Sequence, residues 1–492
     1  MTVNHSYFAD MEARIPKDGV RTRFAPSPTG SMHVGNLRTA LYAYLIARKK
    51  GGKYLLRVED TDQNRYVEGA LDLIYKTLTA CGLVHDEGPD IGGPVGPYVQ
   101  SHRRELYGKY AALLVERGGA YPCFCDKDDG APADDKGIKK YDGRCARLAP
   151  QEVQEKLDAH TPHVIRQRIP AGSTSFSDVV FGEITVDNGD LDEGILMKSD
   201  GLPTYNFANV VDDHLMGITH VVRGSEYLSS TPKYNLLYTA FGWEVPVYIH
   251  CSPVMRDATN KLSKRHGDPS YEDLIAGGYL AEAVVNYVAL LGWSPGGEEE
   301  IFSLKELCQI FDVAGISKSP AIFDIEKLKH FNSAYIRALP LETFHQLALP
   351  YIRQGVKNPA YDTQAIAALL QARCEVLVDI PEKLDFFDAL PAYDKALYVH
   401  KKSKTDEDIS RTMLAASVQA LEGENDWSDE TLQETFMALA SRLEVKNATL
   451  MYPVRIAVAG KAVTPGGAVE LCAILGKEET LRRLKFGLEK LG

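Results

Sequence analysis

The 492-residue chain is 45% hydrophobic and 25% charged, a globular composition at a length that suggests about three or four domains. Its formal charge of −12 argues against indiscriminate coating of nucleic acid, while basic clusters such as His102-Arg103-Arg104, His400-Lys401-Lys402-Ser403-Lys404 and Arg482-Arg483 leave local RNA contacts open. Eight scattered cysteines make no disulfide framework, and no apolar run is long enough to span a bilayer, so a cytoplasmic protein with no membrane partner is expected.

Residues 1–18 form an N-terminal extension without a readable role, and disorder is the ordinary expectation for such a terminus. From Val20 the pattern is strand (20–25), glycine loop, helix (36–50) and strand (53–58), a βαβ unit. Leu37, Ala40, Leu41 and Tyr44 recur at helical spacing, so one face packs on a parallel sheet, and Gly51-Gly52 supplies the stop. A Gly- and Pro-rich loop over 86–97 leads to a helix near 103–117. Residues 100–209 read as an α+β insertion with a Cys-rich patch and strands around 164–169 and 178–185. Apolar strand and helix signals resume at 218–223 and 232–240, and end in the strand 247–250 before a Lys-rich loop. After about residue 270 the periodicity is helical, as in 280–291, 304–311 and 366–377, with Pro320, Pro340 and Pro350 punctuating helices and a boundary near 340.

Two motifs carry chemistry. The first, Arg21-Thr-Arg-Phe-Ala-Pro-Ser-Pro-Thr-Gly-Ser-Met-His-Val-Gly-Asn36, runs off a strand and into a helix. Pro26 stiffens the turn, Gly30 and Gly35 let backbone approach a ligand, and the helix N-terminus presents N–H groups and positive dipole to phosphates. His33 and Asn36, three residues apart, can donate to an α-phosphate. The second, Lys261-Leu-Ser-Lys-Arg265, puts three cations in five residues, suited to a departing pyrophosphate. Either alone is as easily a surface loop.

In this order the two motifs resemble the paired signatures of class I aminoacyl-tRNA synthetases. With Val58-Glu-Asp-Thr-Asp62, the segment Pro203 to His214 (Pro-Thr-Tyr-Asn-Phe-Ala-Asn-Val-Val-Asp-Asp-His) and Val222-Arg-Gly-Ser-Glu226, the chain looks like a bacterial-type glutamyl-tRNA synthetase. Asn36 stands where the wider class often has histidine, and it keeps a donor. The resemblance implies an α/β fold: a Rossmann-type parallel-sheet catalytic domain (19–99 and 210–254), an inserted domain for the tRNA acceptor stem (100–209), a connecting helical domain carrying the Lys-rich loop (255–340) and an all-α anticodon-binding domain (341–492).

By the same resemblance, Arg23 and Tyr205 engage the side-chain carboxylate of L-glutamate, Glu59 its ammonium, and Arg223 with Asn209 its α-carboxylate, with Ser27 lining the pocket. ATP, carried with Mg²⁺, meets Pro26, Gly30, His33, Gly35, Asn36, Ser263 and Lys264, and His33, Asn36, Lys261 and Lys264 serve the activation step. A guanidinium at position 23 pairs with a carboxylate in bidentate fashion and leaves donors unpaired against glutamine's amide. The partner implied is tRNA-Glu, with tRNA-Gln left open, and a monomer is expected. Cys123, Cys125 and Cys145 match three positions of a zinc set found in some family members, but the fourth, usually histidine, is Arg147. Tyr141 could complete the set, so structural Zn²⁺ and reduced, metal-free thiols both stand. The rival readings are a glutaminyl-tRNA synthetase, whose C-terminal half is largely β-barrel, and a catalytically dead tRNA-binding protein.

Overall fold

A computed structural model describes residues 3–62, 65, 67–125, 141–262 and 267–492. These divide into two compact units, one of residues 1–274 with 284–324 and one of residues 275–283 with 325–492.

The first unit is built on a six-stranded sheet with strands β1 (Arg21–Phe24), β2 (Lys53–Leu56), β5 (Ser173–Asp178), β6 (Gly182–Asp187), β8 (His220–Gly224) and β9 (Val247–Cys251), in the order β2-β1-β8-β9-β5-β6. All neighbours are parallel except the edge pair β5–β6. Helix α2 (Val34–Lys49) is the crossover from β1 to β2, and Leu37, Ala40 and Leu41 are fully buried on its sheet face while Tyr44 is half-buried. α2 begins at Val34, two residues ahead of the start expected from periodicity, because His33 caps it: the His33 Nδ1 accepts from the Gly35 N–H at 3.1 Å.

Strands β5 and β6 come from the stretch read as an insertion, so that stretch shares the parallel sheet instead of forming a separate layer. The segment 178–185, expected as one strand, is a hairpin. The Asp178 carboxylate accepts from the N–H groups of Val180 and Phe181 at 2.9 and 2.8 Å, and Gly182 adopts φ +81°, which turns the chain back on itself. The rest of the stretch forms a three-stranded antiparallel sheet of β3 (Ala120–Cys123), β4 (Val164–Gln167) and β7 (Ile195–Met197).

Among the described residues six further α-helices complete this unit up to β9: α1 (His5–Ala13), α3 (Ala70–Ala80), α4 (Arg104–Glu116), α5 (Pro150–Asp158), α6 (Tyr205–Leu215) and α7 (Thr231–Phe241) pack with α2 around the sheets. The described part of the N-terminal extension, residues 3–18, is ordered. Phe8 of α1 packs edge-on against Tyr110 of α4 at 4.9 Å, within a core that includes Phe207 of α6 and Phe241 of α7. Glu12 accepts from His214 at 2.8 Å and from the Trp243 indole N–H at 3.1 Å. An aromatic anchor and a bridging carboxylate supply what an unattached terminus lacks.

The second unit is helical throughout its core, with helices Leu341–Gly355, Thr363–Gln371, Glu407–Glu422, Asp429–Arg442, Asn447–Ala459 and Ala468–Leu491. The helix expected over 366–377 ends at Gln371, and Pro350 lies inside a helix instead of ending one. Arg483, one of the basic residues noted above, is fully buried: its guanidinium donates to the carbonyls of Phe386, Phe387 and Val458. Residues 275–283 belong here because Asn332 accepts from the Leu280 N–H and the Leu377 N–H donates to the Gly278 carbonyl.

Candidate active site

At the carboxyl ends of β1, β8 and β9, beside the N-terminus of α2, the first unit opens a cleft of about 990 Å³. This is where open parallel sheets offer ligands both strand-end side chains and the positive end of a crossover helix. Pro26, Ser27, His33, Gly35 and Asn36 line one side, Glu59 another, Tyr205 and Arg223 a third, and Lys261 reaches the rim. The His33 Nδ1 is occupied as an acceptor by the helix cap, so the neutral ring carries its proton on Nε2 and is a donor there.

Arg23, on β1, is buried and fully committed in direction. Its Nε and Nη2 donate to the two Asp213 oxygens at 3.1 and 3.2 Å, and Nη1 donates to the Val222 carbonyl at 3.2 Å. Burial works against its charge, but the Asp213 carboxylate outweighs burial and holds the guanidinium more basic than usual. Glu59 is fixed from both ends: its N–H donates to the Pro26 carbonyl, and its Oε1 accepts from Arg57 Nη2 at 2.9 Å. Burial lifts the Glu59 carboxyl above its ordinary range, against the pull of Arg57 and Arg23. Tyr205 opens α6 and lies 5.4 Å from the Tyr227 ring; burial keeps its phenol protonated.

Not every expected residue reaches the cleft. Asn209 is buried and set back from it, its Nδ2 donating to the Tyr205 carbonyl at 2.7 Å, and Gly30 does not line it although its φ of +109° marks the special backbone of the loop. Ser263 and Lys264 lie outside the described residues. Other groups were not foreseen from sequence. Lys198 adds a cation to the lining. Asp213 and Arg57, joined at 2.7 Å, brace Arg23 and Glu59 from behind. The only sequence signal for Asp213 was its place in the Val-Val-Asp-Asp-His run. Arg103, read as part of an exposed basic cluster, is buried on Asp212 at 2.7 Å.

In the three-stranded sheet, Cys123 ends β3, Cys125 follows, and Cys145 returns in the turn Arg144–Arg147. The three sulfurs lie within 4.8 Å of one another. The Tyr141 oxygen is 3.4 Å from the Cys123 sulfur and 3.5 Å from that of Cys125, and Cys125 and Cys145 are 3.4 Å apart. Zinc–sulfur bonds of ~2.3 Å put tetrahedral sulfurs about 3.8 Å apart, so the donor set has the dimensions of such a site. Arg166 donates to the Cys123 sulfur at 3.3 Å and lies over the Tyr141 ring. Burial pushes the Cys125 thiol up to about 11, with the neighbouring sulfurs adding to it.

Residues 19–330 match the family model described as tRNA synthetases class I (E and Q), catalytic domain, and residues 343–488 match an anticodon binding domain. The glutamate–tRNA ligases of Clostridium botulinum and Clostridium tetani are each 58% identical to the chain over 478 residues, covering 96% of it and 98% of the relative. Among solved structures, a glutamate tRNA ligase from Elizabethkingia meningosepticum in complex with its amino acid superposes with a TM-score of 0.85 at 33% identity, covering 96% of this chain and all of that one. Five ordered motifs, a Rossmann-type sheet with its cleft at the strand ends, and likeness along nearly the whole length converge: the chain belongs to the glutamate–tRNA ligase family of class I tRNA synthetases.

Proposed function

We propose that the chain activates L-glutamate with ATP to glutamyl-adenylate and transfers the glutamyl group to the 3′-terminal adenosine of tRNA-Glu. The observation that carries this reading is the gathering of Arg23, Glu59, Tyr205 and Arg223 in one cleft with His33, Asn36 and Lys261. Glutamate brings one cation and two anions. Glu59 receives the ammonium, Arg23 with Tyr205 the side-chain carboxylate, and Arg223 the α-carboxylate, with Ser27 beside them. Asn209 acts from behind by holding the Tyr205 backbone.

ATP enters as its Mg²⁺ complex, which lowers the charge on the phosphates. Pro26, Gly30 and Gly35 shape the loop for close approach of the triphosphate. An α-carboxylate oxygen of glutamate attacks the α-phosphorus, the bond to the bridging oxygen breaks, and the electron pair leaves with pyrophosphate. His33 and Asn36 donate to the α-phosphate oxygens, and Lys261, with Ser263 and Lys264 of the same loop, meets the leaving charge. The 2′-hydroxyl of the terminal adenosine then attacks the mixed anhydride and AMP departs. No protein nucleophile is required; positioning and preorganised charge do the work.

The insertion (100–209) would grip the acceptor stem and the helical C-terminal part from 341 the anticodon, in a cytoplasmic monomer. Cys123, Cys125, Cys145 and Tyr141 would hold a structural zinc ion that ties the turn of the three-stranded sheet together.

The test is aminoacylation of purified tRNA-Glu and tRNA-Gln with labelled glutamate or glutamine, with and without ATP. ATP-dependent transfer of glutamate to tRNA-Glu is expected. Transfer to tRNA-Gln as well would mark a non-discriminating enzyme. Transfer of glutamine, or of neither amino acid, overturns the reading.

A further inference from the structure

Arg223 does not reach the cleft unaided. Its Nε donates to His250 Nε2 at 3.0 Å and its Nη2 to Thr231 Oγ1 at 2.9 Å. Tyr227, Tyr234 and Tyr248 surround the guanidinium at 5.4, 4.7 and 5.2 Å from their ring centroids. Thr231 spends its single proton on the Tyr227 carbonyl, so toward Arg223 it can only accept.

His250, on β9, has no exposed surface. An arginine Nε–H is only ever a donor, so His250 Nε2 must be the acceptor and the ring proton must sit on Nδ1. There it meets Asp178 Oδ2 at 2.7 Å. Asp178 is itself placed without freedom: Oδ1 accepts from the N–H groups of Val180 and Phe181, and Oδ2 also accepts from the His250 N–H at 3.1 Å. Burial, together with the nearby Arg223, holds the His250 imidazole below its ordinary range, in keeping with a neutral ring. The chain of contacts therefore has one consistent direction of donation, from Arg223 to His250 to Asp178.

We infer that Asp178 and His250 are positioning residues for glutamate recognition: the carboxylate selects the imidazole tautomer that accepts from Arg223 and so aims its guanidinium into the cleft. The inference rests on the reading of Arg223 as the α-carboxylate partner. It gives the β5–β6 hairpin at the sheet edge a part in substrate binding, through a residue that touches no substrate.

The relay makes an asymmetric prediction. In Asp178→Asn the amide oxygen can keep the two turn N–H groups, which leaves the NH₂ group facing Nδ1. The ring proton is then driven to Nε2, where it opposes the Arg223 Nε–H. In His250→Asn a donor to Asp178 survives but the acceptor for Arg223 is lost; in His250→Gln an acceptor near the Nε2 position survives. Glutamate and ATP KM values and kcat are measured for each full-length variant, beside Arg223→Lys, with thermal unfolding recorded in parallel. Losing a hydrogen bond to a charged group raises the glutamate KM about tenfold or more in Asp178→Asn and His250→Asn. The ATP KM stays within about twofold, and His250→Gln lies much nearer to wild type.

A general structural defect would instead move both KM values together. Equal effects of His250→Asn and His250→Gln, or an ATP KM that rises in Asp178→Asn as far as the glutamate KM, overturn the relay. If Arg223→Lys raises the glutamate KM while Asp178→Asn does not, the relay fails and the assignment of Arg223 survives. If Arg223→Lys leaves it unchanged, both fail. Should His250→Asn not fold, Asp178→Asn against Arg223→Lys still decides the matter.

Discussion

Behind the cleft, three guanidiniums (Arg23, Arg57 and Arg103) meet three carboxylates (Glu59, Asp212 and Asp213), all of them buried. Asp213 serves two of the cations, Arg23 and Arg57, and Asp212 takes Arg103 at 2.7 Å together with Gln100 and the Tyr107 hydroxyl. Desolvated charges are tolerated only while the pairing is complete. Asp213→Asn would take the paired carboxylate from Arg23 and leave Arg57 on Glu59, one buried cation in excess, and the expected loss is about 3–5 kcal/mol of stability, read as a lower midpoint in chemical denaturation, with a raised glutamate KM because Arg23 loses its bidentate support. The loss should depend on pH. Burial opposes the charge of Asp213, but Arg23 and Arg57 overcome it and hold the carboxyl below its ordinary 3.8. A carboxyl depressed in the folded state contributes stability that is present above its unfolded value and disappears as pH falls through its folded one. The gap between wild type and variant should thus be constant at neutral and mildly acid pH and shrink only below 3.8. A gap that persists undiminished through that range would mean that the carboxylate's charge is not what stabilises the cluster.

Elements defined by local pattern were legible in the sequence, and elements defined by distant partners were not. The strand–loop–helix run from β1 into α2 could be read because glycine placement and helical periodicity act within a few residues. The β5–β6 hairpin was missed because β-favouring residues flank Gly182-Glu183 on both sides (Val179, Val180 and Phe181 before, Ile184, Thr185 and Val186 after), and the turn depends on the Asp178 carboxylate bonding two N–H groups beyond it together with the positive φ of Gly182. The pairs Arg23–Asp213 and His250–Asp178 span 190 and 72 residues, so residue type alone could nominate one member but not its partner. The cysteine turn lies between these cases: the sequence showed three thiols and a displaced fourth ligand, and the fold brings Tyr141 against two of them. If this element is a zinc site, elemental analysis of the purified protein should find about one zinc per chain, and Cys145→Ser should release it. Chelation should then expose the thiols to titration with a chromogenic disulfide. Protein that is free of metal as purified, with all three thiols reacting at once, would leave the element as a reduced cysteine cluster.

For the whole molecule, the excess of acid over base makes RNA binding a question of where the cations are. With a formal charge of −12, the average surface repels phosphate, which favours release of the wrong RNA and demands local basic contacts for the right one. Some basic residues named from the sequence are withdrawn from that role, since Arg103 and Arg483 are buried and their donors are taken by Asp212 and by backbone carbonyls. Others remain exposed: Lys401, Lys402 and Lys404 lie on a short turn closed by the His400–Thr405 bridge, whereas Arg482 and Lys485 on the last helix, though exposed, pair with Glu479 and Glu422. If such patches hold tRNA, the KM for tRNA should rise steeply with salt, log KM climbing by about 0.7–0.9 per phosphate contact for each unit of log salt concentration. Glutamate, held inside the cleft by buried groups, should show a much shallower dependence. Replacing Lys401 and Lys402 by alanine should lower the tRNA slope by about one to two contacts and leave the glutamate KM where it was. A tRNA slope as shallow as that of glutamate would remove phosphate contacts as the main source of affinity and shift recognition toward bases and shape.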